Sequence, residues 1–134
     1  MANALYDAGR DAFANGNIDW VNDTIKAVLV DDADYTVSLS THEDLADIAA
    51  AARVSTGTLA GKSTSAGVVD ASNLVLSTVS GDQSEVLVIY KDTGVEGTST
   101  LIAYIDNASG LPIDPNGGDI TIEWDAGANK IFKL

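Results

Sequence analysis

The sequence predicts a mainly β domain with a minor helical part: an antiparallel, β-sandwich-like body carrying a short N-terminal helix and a second short helix near residues 41–50. Three observations predict it. From Arg53 onward, short runs of strand-forming residues alternate with Gly, Ser, Asn and Asp, the spacing of sheets packed face to face. Two of these runs, Val86-Leu87-Val88-Ile89-Tyr90 and Leu101-Ile102-Ala103-Tyr104-Ile105, are apolar at every position and so suit strands covered on both faces. Helical periodicity is confined to two short stretches before residue 53.

The elements follow in order. Leu5, Ala8, Ala12 and Phe13 recur at helical spacing after Asn3, a candidate N-cap, and Asn15-Gly16-Asn17 stops the run. Gly9 inside this helix costs about 1 kcal/mol relative to alanine, so docking on the body must stabilise it. Asp23 to Val30 is nearly unbroken apolar sequence rich in branched residues and is expected to be a central strand. The acidic corner Asp31-Asp32-Ala33-Asp34 follows, then Tyr35 to Leu39. Ser40 and Glu43, three apart, form a capping-box pattern ahead of a helix over Leu45 to Ala50.

The predicted strands beyond are Arg53 to Leu59, Gly67 to Asp70, Asn73 to Val79, Glu85 to Lys91, Ser99 to Asp106, Asp119 to Trp124 and Lys130 to Leu134. In the last pair, Ile120, Ile122 and Trp124 alternate with Asp119, Thr121 and Glu123, and Asp125-Ala126-Gly127 supplies a turn, so a closing hairpin is expected. Asn107 to Gly118 contains both prolines and reads as an ordered surface loop. With no linker, repeat or low-complexity tract, residues 1–134 are expected to form one domain, a length at which about two thirds of the unfolded surface can be buried.

Charge and composition narrow the function classes. Twenty acids against seven bases give a net charge of −13, spread along the chain. Nucleic acid and anionic membrane surfaces are therefore disfavoured partners, because phosphate binding needs a cationic face that releases counterions. Cysteine is absent, which removes disulfides, thiolate metal ligands and a cysteine nucleophile. The start of the chain lacks a basic leader with an apolar core, and no run approaches about twenty apolar residues, so neither a signal peptide nor a membrane span is expected. Asn107-Ala108-Ser109 has the form of a glycosylation sequon and reads as turn sequence.

Reactive constellations are scarce. His42 is the single histidine; Ser40 and Asp44 lie too close to it in sequence to converge as a hydrolytic triad, and it reads as an exposed residue at a helix start. Gly61-Lys62-Ser63 copies the end of a phosphate-binding loop, but Gly57 stands one residue too near and no helix-forming sequence follows. Asp31, Asp32 and Asp34 could offer hard oxygen ligands to calcium, yet the glycine and distal glutamate of a twelve-residue calcium loop are missing, and a solvated turn is the plainer reading. No carboxylate pair is nominated for glycoside hydrolysis. Trp20 and Trp124 fit core or interface anchoring better than sugar stacking. No catalytic residue, cofactor site or metal site is assigned.

One likeness goes further. The opening helix ending in Asn-Gly, Ile18-Asp19-Trp20, Asp23-Thr24-Ile25-Lys26-Ala27-Val28-Leu29-Val30, Ser40-Thr41-His42 and Leu45-Ala46-Asp47-Ile48 resemble a group of small tailed-bacteriophage virion proteins. Thr58-Leu59-Ala60-Gly61-Lys62, Gly81-Asp82-Gln83-Ser84-Glu85 and Pro115-Asn116-Gly117-Gly118-Asp119-Ile120 extend the resemblance over nearly the whole chain. It implies a non-enzymatic capsid decoration, or cement, protein on the virion surface, made in the host bacterial cytoplasm. The implied partner is the phage major capsid protein, bound by a homo-oligomer or by symmetric copies. The alternatives are a tail tube, adaptor or fibre-associated subunit, or a glycan- or calcium-binding surface module. On this reading Tyr6, Trp20, Tyr35, Leu111 and Ile113 are the expected interface anchors, and the N-terminal helix and the proline-containing loop present contact surface.

Overall fold

Strand-forming sequence and turn residues divide the chain much as expected. In a computed structural model describing residues 4–106, 110–128 and 130–134, the elements are β1 (Ala4–Leu5), α1 (Asp7–Ala14), β2 (Ile25–Val30), β3 (Arg53–Thr58), β4 (Ser63–Ser65), β5 (Val68–Asp70), β6 (Leu74–Leu76), β7 (Val86–Lys91), β8 (Leu101–Ile105), β9 (Ile120–Ile122) and β10 (Phe132–Lys133). The protein is mainly β, its strands pair antiparallel, and α1 is the one α-helix among the described residues. A five-stranded sheet in the order β1-β8-β7-β2-β3 is joined by a three-stranded sheet, β10-β5-β4, and a two-stranded one, β6-β9.

Alternation along the central strands sorts their side chains onto two cores. From β2, Ile25, Ala27 and Leu29 enter one core and Val28 and Val30 the other; from β7, Leu87 and Ile89 join the first, Val86, Val88 and Tyr90 the second. The first core is closed by Leu74 and Leu76 of β6, Val69 of β5, Trp20, Leu59 and Val79. The second is closed by Tyr6, Tyr35, Leu45, Ile48 and Ala52. Two small sheets and the irregular segment 31–52, rather than a second full-width sheet, therefore cover the large sheet.

A β-bulge governs how the helix docks. β7 and β8 pair Ile89 with Ala103 but Tyr90 with Leu101, so Ile102 is an extra residue, and it enters the same core as Ala103. At that point the Ile102 carbonyl accepts the Tyr6 amide at 2.9 Å, and α1 lies along the β8 edge beyond the short β1. Gly9 makes this approach possible: a methyl group there would stand 2.7 Å from Leu101 O and 2.9 Å from Ile102 Cα. The helix thus covers backbone that would otherwise form a free sheet edge.

Three local expectations are corrected. The helix near 41–50 is instead two single 3₁₀ turns, Leu45–Asp47 and Ala50–Ala52, broken by extended backbone at Ile48. The Arg53 guanidinium takes the Leu45 and Ile48 carbonyls at 2.9 and 2.6 Å, the acceptors a continuous helix would need for its own ladder. The capping box is formed by Asp44 and Asp47, not Ser40 and Glu43. Tyr6 stands at the N-cap position of α1 with no side-chain cap bond, and the candidate cap Asn3 lies outside the described residues.

The closing hairpin does not form. β9 pairs with β6 and β10 with β5, so the last two strands belong to different sheets. Asp125 Oδ1 accepts the Gly127 amide, the Lys130 amide bonds Gly127 O, and Lys130 takes a left-handed φ of 46°, turning the chain away before Ile131 N reaches Val69 O. What holds β10 is aromatic packing: Phe132 meets Trp20 edge-on at 5.5 Å and Phe13 at 6.1 Å.

Candidate functional site

The proline-containing loop is ordered by hydrogen bonds to two other segments. Ser84 and Ile113 exchange backbone bonds of 2.9 and 2.8 Å, and Gln83 Nε2 donates to Asp114 Oδ1 at 2.9 Å. Gly117 N and Val79 N bond Val79 O and Gly118 O, and Thr78 N donates to Asp119 Oδ1. Leu111 and Ile113 are held half-buried in this lacing. Residues 107–109, including the sequon pattern, lie outside the described residues.

The same lacing sets Asp82 and Glu85 against the corner Asp31-Asp32-Ala33-Asp34. Oxygens of Asp31, Asp34 and Asp82, and those of Asp31, Asp32 and Glu85, lie within 4.8 Å of one another in each trio. Sequence reading named only Asp31, Asp32 and Asp34. Glu85 is 53 positions from Asp32, and no local pattern signals their meeting. Such oxygens suit a hard divalent cation. Yet the turn's own amides already engage two of the carboxylates: Ala33 N donates to Asp31 Oδ1 at 2.9 Å and Asp32 N to Glu85 Oε2 at 3.0 Å. Bracing of the turn accounts for those two side chains, and the cluster as a whole gives this end a dense negative charge.

The second core holds a buried pair of hydroxyls that extends to a histidine. Tyr6 and Tyr35 hydroxyls are 2.8 Å apart, and the Tyr35 hydroxyl is 2.9 Å from His42 Nδ1, which also accepts the Ser38 amide at 3.3 Å. His42 is half-buried and tilted against the Tyr35 ring, so it is a packing and hydrogen-bonding partner rather than an exposed residue at a helix start. Burial, then the bond to Tyr35, pushes the Tyr6 phenol far above its ordinary range; burial also raises Tyr35. Tyr104 is pushed up to about 12 by burial and by nearby Asp106 and Asp32. Asp47 is held below the usual carboxylate range, first by the Glu43 amide that it accepts.

Three of the five expected interface anchors are core residues. Tyr6 is 0% exposed, Trp20 3% and Tyr35 5%, so in the folded chain they present no surface to a partner. Their sequence signal, large aromatics beside loops, is shared by core and interface residues. Trp20 Nε1 donates to Asp70 O at 3.0 Å, and half-buried Trp124 donates to Ser72 O at 3.0 Å. Leu111 and Ile113 alone of the five keep some exposure, both on the laced loop.

Gly57 to Ser63 does not form a phosphate cradle. Gly57 lies in β3, Lys62 Nζ bonds the Asp23 carbonyl, and Ser63 opens β4 rather than a helix. No helix among the described residues is long and apolar enough to cross a membrane. What the structure assembles is a braced acidic end beside a loop laced to residues 78–84. No protein-family model matches this chain, and no curated protein matches it.

Proposed function

We propose that this protein is a structural component of a tailed-phage virion that decorates the assembled head and stabilises it by many simultaneous contacts with the major capsid protein. The observation that carries this reading is where the phage-like sequence blocks fall. Ile25 to Val30 is the interior strand β2, Leu45 and Ile48 plug the second core, Leu59 the first, Gly81 to Glu85 ties the acidic corner to the laced loop, and Pro115 to Ile120 leads into β9. The likeness thus lies in framework residues, as expected of a subunit whose rigid shape is its function. Repetition at symmetric positions makes weak single contacts effective, since each engagement raises the local concentration for the next. The acidic end, together with the half-buried Leu111 and Ile113 of the laced loop, is the contact face this reading favours.

Quantitative mass spectrometry of purified virions tests it, together with readdition of the protein to stripped heads. The expected result is a copy number matching a capsid lattice and heads that resist heat better when loaded. A copy number matching one ring would move the protein to the tail, and absence from virions would end the proposal.

A further inference from the structure

Four of the seven basic side chains are occupied within the protein: Lys26 pairs with Asp92 at 3.2 Å, Arg53 with Glu96 at 2.7 Å and Lys91 with Asp23 at 3.1 Å, while Lys62 bonds the Asp23 carbonyl. Among the described residues Arg10, Lys130 and Lys133 form no ion pair. Two of these three, Arg10 on α1 and Lys133 on β10, line the same open groove of about 530 Å³, whose floor is Leu5, Phe13, Ala14 and Leu134. Both cations are exposed, and Leu134 is 55% exposed. The arrangement comes from the fold: Phe13 packs edge-on against Phe132 and brings the helix beside the last strand.

We infer that this groove is a docking site for an acidic polypeptide segment of a protein partner, one that seats an apolar side chain on the floor while its carboxylates meet Arg10 and Lys133. Charge decides the occupant. A body of net charge −13 repels an acidic partner over most of its surface, so uncommitted cations beside exposed apolar surface are where such a partner can approach and be oriented. An apolar segment without carboxylates would leave both cations unpaired, and a basic segment would find its charge partners at the acidic end instead.

The inference rests on the reading of this protein as one that acts by docking, but its test needs no capsid. Fluorescence anisotropy is measured with a labelled synthetic peptide in which Asp and Glu flank a central Phe and Leu, and with the same peptide carrying Asn and Gln instead. The protein is compared with its Arg10→Gln/Lys133→Gln double variant, whose fold is checked by the emission of buried Trp20. The acidic peptide is expected to bind about tenfold more tightly than its amide counterpart, and the double variant to lose about that factor. Binding should also weaken with added salt, since exposed charges are screened over ~10 Å or less. Equal affinity of the two proteins for the acidic peptide, or no binding by the native protein, would overturn the inference. So would a preference for phosphatidylglycerol vesicles or a DNA oligonucleotide, or self-association seen by sedimentation and lost in the double variant. Failure of the acidic peptide to distinguish the two proteins would sink the groove and leave the proposed function standing; discriminating peptide binding by a protein that is absent from virions would do the reverse.

Discussion

Gly9 gives opposite answers according to whether it is viewed as a helix residue or as a contact. In an exposed helix interior, Gly9→Ala would stabilise by about 1 kcal/mol. Here the new methyl would lie 2.7 Å from Leu101 O, 2.9 Å from Ile102 Cα and 3.2 Å from Ile102 O. All three are backbone atoms of the bulged strand, so no rotamer change can clear them. The shortest contact falls about 0.7 Å inside ordinary van der Waals range, and relieving it means moving α1 off the sheet edge. Overpacking of this kind costs about 1–3 kcal/mol. The retreat also stretches the 2.9 Å bond from Tyr6 N to Ile102 O, worth about 1 kcal/mol. Set against the propensity gain of about 1 kcal/mol, the net effect is a loss of about 1–3 kcal/mol. Urea denaturation followed through Trp20 emission measures it; with a slope of about 2 kcal/mol per molar, the midpoint should fall by roughly 0.5–1.5 M. Gly97→Ala is the control, because Gly97 has nothing within 4 Å and no positive φ, so alanine there should be neutral or stabilising. A Gly9→Ala protein as stable as the parent would refute the docking argument.

Three further predictions follow from the same structure. The β4–β5 turn places Ala66 at φ 51° and Gly67 at φ 80°, a geometry that favours Asn-Gly, so Ala66→Asn should raise stability by about 0.5–1 kcal/mol in a thermal melt; an unchanged or lower midpoint counts against it. Leu76, 2% exposed, joins the two-stranded sheet to the first core, and Leu76→Ala should cost about 2–5 kcal/mol by denaturation; a loss below about 1 kcal/mol would show that the small sheet is peripheral to stability. All four tyrosines have phenol pKa values raised by burial, so the stability they add is complete below about pH 10 and is lost as pH rises through their higher folded values. Asp23, Asp47 and Asp92 are lowered, chiefly by backbone amides, so their share is present above about pH 4 and lost as pH falls through their folded values. Tyrosinate absorbance should therefore rise only together with loss of tertiary circular dichroism above pH 10, and its appearance at about pH 10 in a still-folded protein would contradict the burial.

Much of the strand framework was legible because it rests on local signals. The branched run ending at Val30 and the apolar runs at 86–90 and 101–105 become β2, β7 and β8 with boundaries displaced by only a residue or two. The candidate site was less legible. Asp31 to Asp34 stood out as a corner, but Asp82 and Glu85 reach it only because Ser84 pairs with Ile113 and Glu85 N bonds Val30 O. Tyr6 and Tyr35 are 29 positions apart, and nothing near either one announces that their hydroxyls meet in the second core.

The sequence by itself determined what each segment could be: period-two apolar alternation specifies a strand with an inner face, and glycine, asparagine and aspartate specify where the chain turns. Tertiary structure decided which strands pair, that the last two part to different sheets, that the alanine-rich stretch breaks at Ile48 over the Arg53 guanidinium, and that Gly9 is a contact rather than a flaw. The reason is one of range. Turn chemistry and side-chain alternation act within a few residues, whereas pairing, bulges and helix docking are fixed by burying apolar surface and satisfying backbone groups between segments far apart in the chain.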